Sequence, residues 1–127
     1  MSRLAKVTVL AVVALLATAT AVTAADFDGT RGDDRIIGTS AKDGIRAFIG
    51  DDLIRARGGD DRIYPGGGDD KVFGGAGDDL IFARDAEGLD YIDCGPGRDW
   101  VETIHRDDIT LSNCERAWGP QRGDIIR

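Results

Sequence analysis

Between Ala56 and Phe82 the chain repeats itself every nine residues. The three blocks start at Ala56, Pro65 and Gly74, and each carries Gly at its fourth place, Asp at its fifth and sixth, and a β-branched residue at its eighth. A short fixed period means one small structural unit stacked on copies of itself. The unit has two halves, a Gly/Asp-rich turn and then about three residues with the alternation of a short strand.

The same frame runs both ways from this stretch. Upstream it gives rows Gly29 to Ile37, Gly38 to Arg46 and Ala47 to Arg55; downstream, after a two-residue insertion at Ala83-Arg84, it gives Asp85 to Asp93 and Cys94 to Glu102. Asp holds the sixth place in all eight rows, as Asp34, Asp43, Asp52, Asp61, Asp70, Asp79, Asp90 and Asp99. Gly holds the fourth place in seven, with Ala41 the exception. The eighth places, Ile36, Ile45, Ile54, Ile63, Val72, Ile81, Ile92 and Val101, are all aliphatic and β-branched.

Glycine in the turn permits positive φ and lets backbone carbonyls approach an ion without a Cβ in the way. A carboxylate two residues later meets that ion from the side. If the chain reverses at every turn, consecutive rows lie in opposite sheets and turns on one edge are eighteen residues apart. Neighbouring strands then sit ~4.8 Å apart, so carboxylates of two turns can share one cation. The sharing pairs are Asp34 with Asp52 and Asp52 with Asp70 on one edge, and Asp43 with Asp61, Asp61 with Asp79 and Asp79 with Asp99 on the other. Ca²⁺ takes six to eight oxygens at roughly 2.3–2.6 Å, more than one turn supplies. A single Gly-Asp-Asp is ordinary turn chemistry, but eight in register would repel each other unless neutralised. Row two, with Ala41 and Lys42, and row seven, beside the insertion, fit the pattern least well.

These rows resemble the haemolysin-type (RTX) nonapeptide, Gly-Gly-x-Gly-x-Asp-x-(large aliphatic)-x. The resemblance implies an all-β fold, a parallel β-roll or two-sheet β-helix of nine-residue repeats, with Ca²⁺ held between successive turns. It adds main-chain carbonyls at the second and fourth places as ligands, here Gly66, Gly68, Gly75 and Gly77. The fifth-place acids Asp33, Asp51, Asp60, Asp69 and Asp78 are expected to face solvent and draw cations in.

Composition agrees with a cation-dependent fold. Eighteen Gly and 23 acidic residues against four Phe and two Trp leave only a thin aliphatic core. Such a core cannot offset the ordering of so much glycine-rich backbone, so the chain is expected to be largely unfolded without Ca²⁺ and to fold on binding it. The net charge of −7 disfavours nucleic acid and anionic membranes as partners.

Residues 1–24 read as a signal peptide: Arg3 and Lys6 precede an apolar run from Val7 to Ala17, and Val22-Thr23-Ala24 suits a signal-peptidase site. The run is short for a membrane span. Its removal leaves a mature chain beginning near Asp26 with charge −9, no membrane span, and an extracellular destination where calcium and disulfides are both available. The β-roll is assigned to 25–102, a C-terminal cap to 103–118 and a loose tail to 119–127. Cys94 and Cys114, the only cysteines, are expected to pin the cap to the last coil; the alternatives are two free thiols or a metal pair.

Five large apolar residues fall at outward places, namely Leu53, Tyr64, Phe73, Leu80 and Phe82, with Tyr64 and Phe82 placed to stack on one sheet face and Phe73 on the other. No catalytic constellation is present: His105 is alone, and neither Gly-x-Ser-x-Gly nor His-Glu-x-x-His occurs. The expected function is therefore a secreted, non-enzymatic calcium-binding repeat protein. The alternatives are a calcium-ordered interaction or adhesion scaffold using the outward aromatics, and an accessory fragment of an RTX-type toxin or exoenzyme.

Overall fold

The computed structural model describes residues 8–10, 22–84, 88–104 and 109–118. His105, the tail 119–127 and most of the expected leader lie outside the described residues. Twelve strands run in chain order: β1 (Thr8–Leu10), β2 (Asp26–Asp28), β3 (Arg35–Ile37), β4 (Gly44–Arg46), β5 (Leu53–Arg55), β6 (Arg62–Tyr64), β7 (Lys71–Phe73), β8 (Leu80–Ala83), β9 (Asp90–Asp93), β10 (Trp100–Thr103), β11 (Ile109–Ser112) and β12 (Arg116–Trp118). Odd strands form one six-stranded parallel sheet in the order β1-β3-β5-β7-β9-β11, and even strands form the other, β12-β10-β8-β6-β4-β2. The expected two-sheet parallel coil is therefore present.

Side chains alternate across a strand, which decides what each place in the row does. The eighth place points inward, and all eight residues there are fully buried. The sixth place is two residues earlier and so points inward as well; all eight of its aspartates are buried. The next row's first place completes the inward set with Ala47, Ala56 and Cys94, all fully buried. Small first places let the two sheets approach across the β-branched residues. Aspartate is therefore drawn toward the core by the same alternation that buries isoleucine.

Seventh and ninth places face out. Tyr64 and Phe82 stack at 4.7 Å with planes 8° apart, and Phe73 meets Tyr91 at 6.0 Å on the opposite sheet. Guanidinium groups cover what remains, Arg84 over Phe82 and Arg55 over Phe73. Arg84 also pairs with Glu102, eighteen residues on.

The stack is longer than the repeat. Upstream, β2 pairs with β4 and buries Phe27 opposite Ile45, although its row has no Gly/Asp turn. Within the stretch expected to be a leader, Thr8–Leu10 pairs with Arg35–Ile37 and covers an edge that β3 would otherwise leave open. Downstream, residues 103–118 do not merely cover the last coil. β11 and β12 extend both sheets in register, placing Leu111 opposite Ile92 and Ala117 opposite Val101. The Cys94–Cys114 disulfide, with 5.1 Å between its α-carbons, ties this added coil to the coil above.

Candidate metal centre

The turns at the two edges of the stack bring the repeat aspartates together. Along one edge the Asp34 N–H donates to Oδ1 of Asp52 at 2.7 Å, Asp52 N–H to Asp70 at 2.8 Å, and Asp70 N–H to Asp90 at 3.0 Å. Along the other, Asp43 N–H donates to Asp61 at 2.8 Å, Asp61 to Asp79 at 2.9 Å, and Asp79 to Asp99 at 2.9 Å. All five expected pairs stand on adjacent coils, four of them eighteen residues apart and Asp79 with Asp99 twenty. The Ala83-Arg84 insertion lengthens the last step on each edge to twenty residues without breaking the ladder.

One carboxylate oxygen is thereby used in each case, and the other decides whether the turn suits a cation. Oδ2 of Asp52, Asp61, Asp79 and Asp99 is buried and accepts no hydrogen bond among the described residues. A buried anionic oxygen without a donor is costly. Burial, reinforced by neighbouring acids, pushes the Asp61 and Asp79 carboxyls up to about 7, and Asp52 and Asp99 to about 6, against the lowering effect of the backbone N–H each accepts. Asp79 feels Asp61 and Asp99 from the coils on either side. The positions call for a proton or a cation.

Backbone shape supplies the rest of the cradle. Gly68 and Gly77 adopt φ of +122° and +119°, and a Cβ on them would stand 2.2 Å from the Gly50 carbonyl oxygen and 2.1 Å from that of Gly59. Fourth-place glycine is thus demanded twice, by φ and by the carbonyl stacked against it from the coil before. At the second place, Gly66 and Gly75 have φ near +90°, while Phe48 and Arg57 hold the same left-handed backbone at φ 78° and 80°. From row three onward carbonyl oxygens and orphaned carboxylate oxygens line the turns, a donor set of hard oxygens that fits Ca²⁺.

The first two rows are built differently, in a way the nine-residue pattern does not reveal. Asp34 accepts from the backbone N–H and the hydroxyl of Thr30. Asp43 accepts from Thr39 N–H at 2.6 Å, from its hydroxyl at 2.8 and 2.9 Å, and from Ala25 N–H at 3.1 Å. Both oxygens of each carboxylate are thus served by protein donors. The hydroxyls of Thr30 and Thr39 also accept from Gly32 N–H and Ala41 N–H, both at 3.1 Å, closing a threonine turn. Neither Gly32 nor Ala41 has positive φ, which is why alanine is tolerated at the fourth place of row two. The signal available in the sequence was Thr at the second place, a hydroxyl donor four residues before the aspartate.

The fifth-place acids are exposed, as expected, but they also form a second ladder. Asp33 accepts from Asp51 N–H and Asp51 from Asp69 N–H at 2.9 Å each, and Asp60 accepts from Asp78 N–H at 2.8 Å. This outer ladder runs opposite to the inner one: the later coil supplies the N–H and the earlier coil the carboxylate.

The chain matches no curated protein and no solved structure. Residues 26–47, 46–81 and 64–101 match the RTX calcium-binding nonapeptide repeat, four copies in the family's description. With the nine-residue frame, the two-sheet coil and the oxygen-lined turns in agreement over more than half its length, the chain belongs to the RTX calcium-binding nonapeptide repeat family.

Proposed function

We propose that this protein is a secreted, non-enzymatic calcium-binding repeat protein whose coils order as Ca²⁺ enters between stacked turns. The observation that carries the reading is the set of buried Oδ2 atoms on Asp52, Asp61, Asp79 and Asp99 that no donor among the described residues serves. The ions sit at the turns from row three onward, held by those carboxylates with Asp70 and Asp90 on the same edges and by carbonyls such as those of Gly66, Gly68, Gly75 and Gly77. The threonine turns of Asp34 and Asp43 stand without metal. Secretion is supported by the amino-terminal pattern of a basic start, apolar run and small-residue cleavage site, and by the disulfide. Among the described residues no helix is long and apolar enough to cross a membrane.

The scaffold reading rests on the outward aromatics, whose faces are largely taken up by one another and by Arg55 and Arg84. The test is far-ultraviolet circular dichroism of the processed chain in excess chelator and after Ca²⁺ addition, with calorimetry for stoichiometry. We expect β structure to appear with Ca²⁺; an ordered, calcium-indifferent chain overturns the reading.

A further inference from the structure

We propose that Glu115, outside the repeat, joins Asp99 in a further divalent-cation site that closes one turn edge at the carboxyl-terminal end of the stack. This rests on the calcium reading above.

Asp99 is the last repeat aspartate on its edge. Its Oδ1 accepts from Asp79 N–H, while its Oδ2 is buried and unpartnered in a side chain only 1% exposed. Asp61 and Asp79 each have a repeat aspartate on the coil below; Asp99 has none. β12 pairs with β10 with Arg116 opposite Trp100, so the register puts Glu115 opposite Asp99. Asn113-Cys114-Glu115 then lies where Gly97-Arg98-Asp99 lies one coil earlier. Asn113 takes the Gly97 position with positive φ but a different backbone, 53° against 136°; its left-handed conformation is one that asparagine adopts readily. Asn113 is fixed there by its amide, which donates to Asp93 Oδ1 at 2.9 Å. The triplet keeps the positive φ and the acid of Gly-x-Asp with neither glycine nor aspartate.

Asp99 and Glu115 line one cavity of about 390 Å³ together with Arg98 and Trp100. Strand register and the shared cavity bring the two negative groups to one turn edge, where a cation can serve both. The disulfide at Cys114 holds Glu115 to this position through the residue beside it. The chemistry is that of a hard divalent cation with two carboxylates and water completing its shell.

Trp100 gives the site its own reporter. Tb³⁺, a Ca²⁺ stand-in, emits when an excited indole lies close by, and Trp100 and Trp118 are the only indoles in the chain. We expect indole-sensitised Tb³⁺ emission from the full processed, oxidised protein, chased by Ca²⁺ and removed by Trp100→Phe. Glu115→Gln should weaken Tb³⁺ binding at this site on the order of tenfold, as loss of one charged ligand does. It should also lower the calorimetric Ca²⁺ count by one while the Ca²⁺-induced β spectrum persists. Glu115→Asp, the residue type of the other coils, should keep the site. If the β spectrum still depends on Ca²⁺ but Glu115→Gln leaves both emission and count unchanged, this site is refuted and the general reading stands. If no Ca²⁺-dependent ordering occurs at all, both fail.

Discussion

Asparagine at two positions of the same aspartate ladder should act with opposite sign on the metal-free protein. Asp79 accepts Asp61 N–H through Oδ1 and leaves Oδ2 orphaned, so Asp79→Asn keeps the bonded oxygen and discards the unneutralised charge. Burial, with Asp61 and Asp99, holds this carboxyl at about 7 against a reference of 3.8. At 1.36 kcal/mol per unit that is ~4 kcal/mol at face value, and ~2 kcal/mol once solvent screening at the sheet edge is allowed for. Asp79→Asn should therefore make the chelated chain more ordered by that amount, and should raise the Ca²⁺ concentration needed to complete folding. Asp43 is the reverse case: both its oxygens accept from Thr39, and an amide nitrogen in place of one oxygen faces donors. Asp43→Asn should destabilise the metal-free coil by ~1–3 kcal/mol and leave the Ca²⁺ count unchanged. Urea titrations followed by circular dichroism in chelator, paired with calorimetric Ca²⁺ titration, read both. If the two substitutions shift the chelated protein the same way, the distinction between orphaned and threonine-served carboxylates is wrong.

Acid should partly replace calcium. The folded-state carboxyls of Asp52, Asp61, Asp79 and Asp99 lie at about 6 to 7, above their unfolded value, so the folded chain binds more protons and its metal-free stability rises as pH falls from about 7 toward 4. Chelated protein should show more β signal at pH 5 than at pH 8, and a flat or inverted profile counts against the orphaned oxygens. Gly68→Ala should abolish or greatly delay Ca²⁺-induced folding, since it meets both a φ of +122° and a carbonyl at 2.2 Å, whereas Gly32→Ala, whose nearest contact is at 3.9 Å, should be tolerated; equal effects would refute the carbonyl-stacking argument. Reducing Cys94–Cys114, which closes a separation of 20 residues, should lower the thermal midpoint of the calcium-loaded protein by the equivalent of ~3 kcal/mol. An unchanged midpoint would mean that β11 and β12 hold without it.

The period alone made most of this architecture legible. Rows of nine with a β-branched eighth residue place eight strands, and the eighteen-residue spacing pairs the aspartates correctly, because a reversing coil leaves no other register. Where glycine and aspartate disappear, the strands continue but the pattern does not: Phe27, Leu111 and Ala117 pair in register with Ile45, Ile92 and Val101 in rows without the Gly-x-Asp sequence. Strand pairing needs only the alternation, whereas the pattern records the turn. Thr30 and Thr39 share the second place of rows one and two, but later rows carry no threonine there, so the common nine-residue pattern does not record what their hydroxyls do. Glu115 was hidden because its row carries asparagine and glutamate where the pattern has glycine and aspartate.

The inner aspartate ladder has a direction, with every N–H pointing toward the carboxylate of the following coil. The two ends of the stack are consequently unlike, and contact between molecules that continued both sheets in parallel would be head-to-tail, a geometry that generates open filaments. Threonine turns at the start leave the leading aspartates no appetite for a neighbour's amide, and a disulfide-bound coil occupies the finish. Each blunts one end of a shape that would otherwise polymerise.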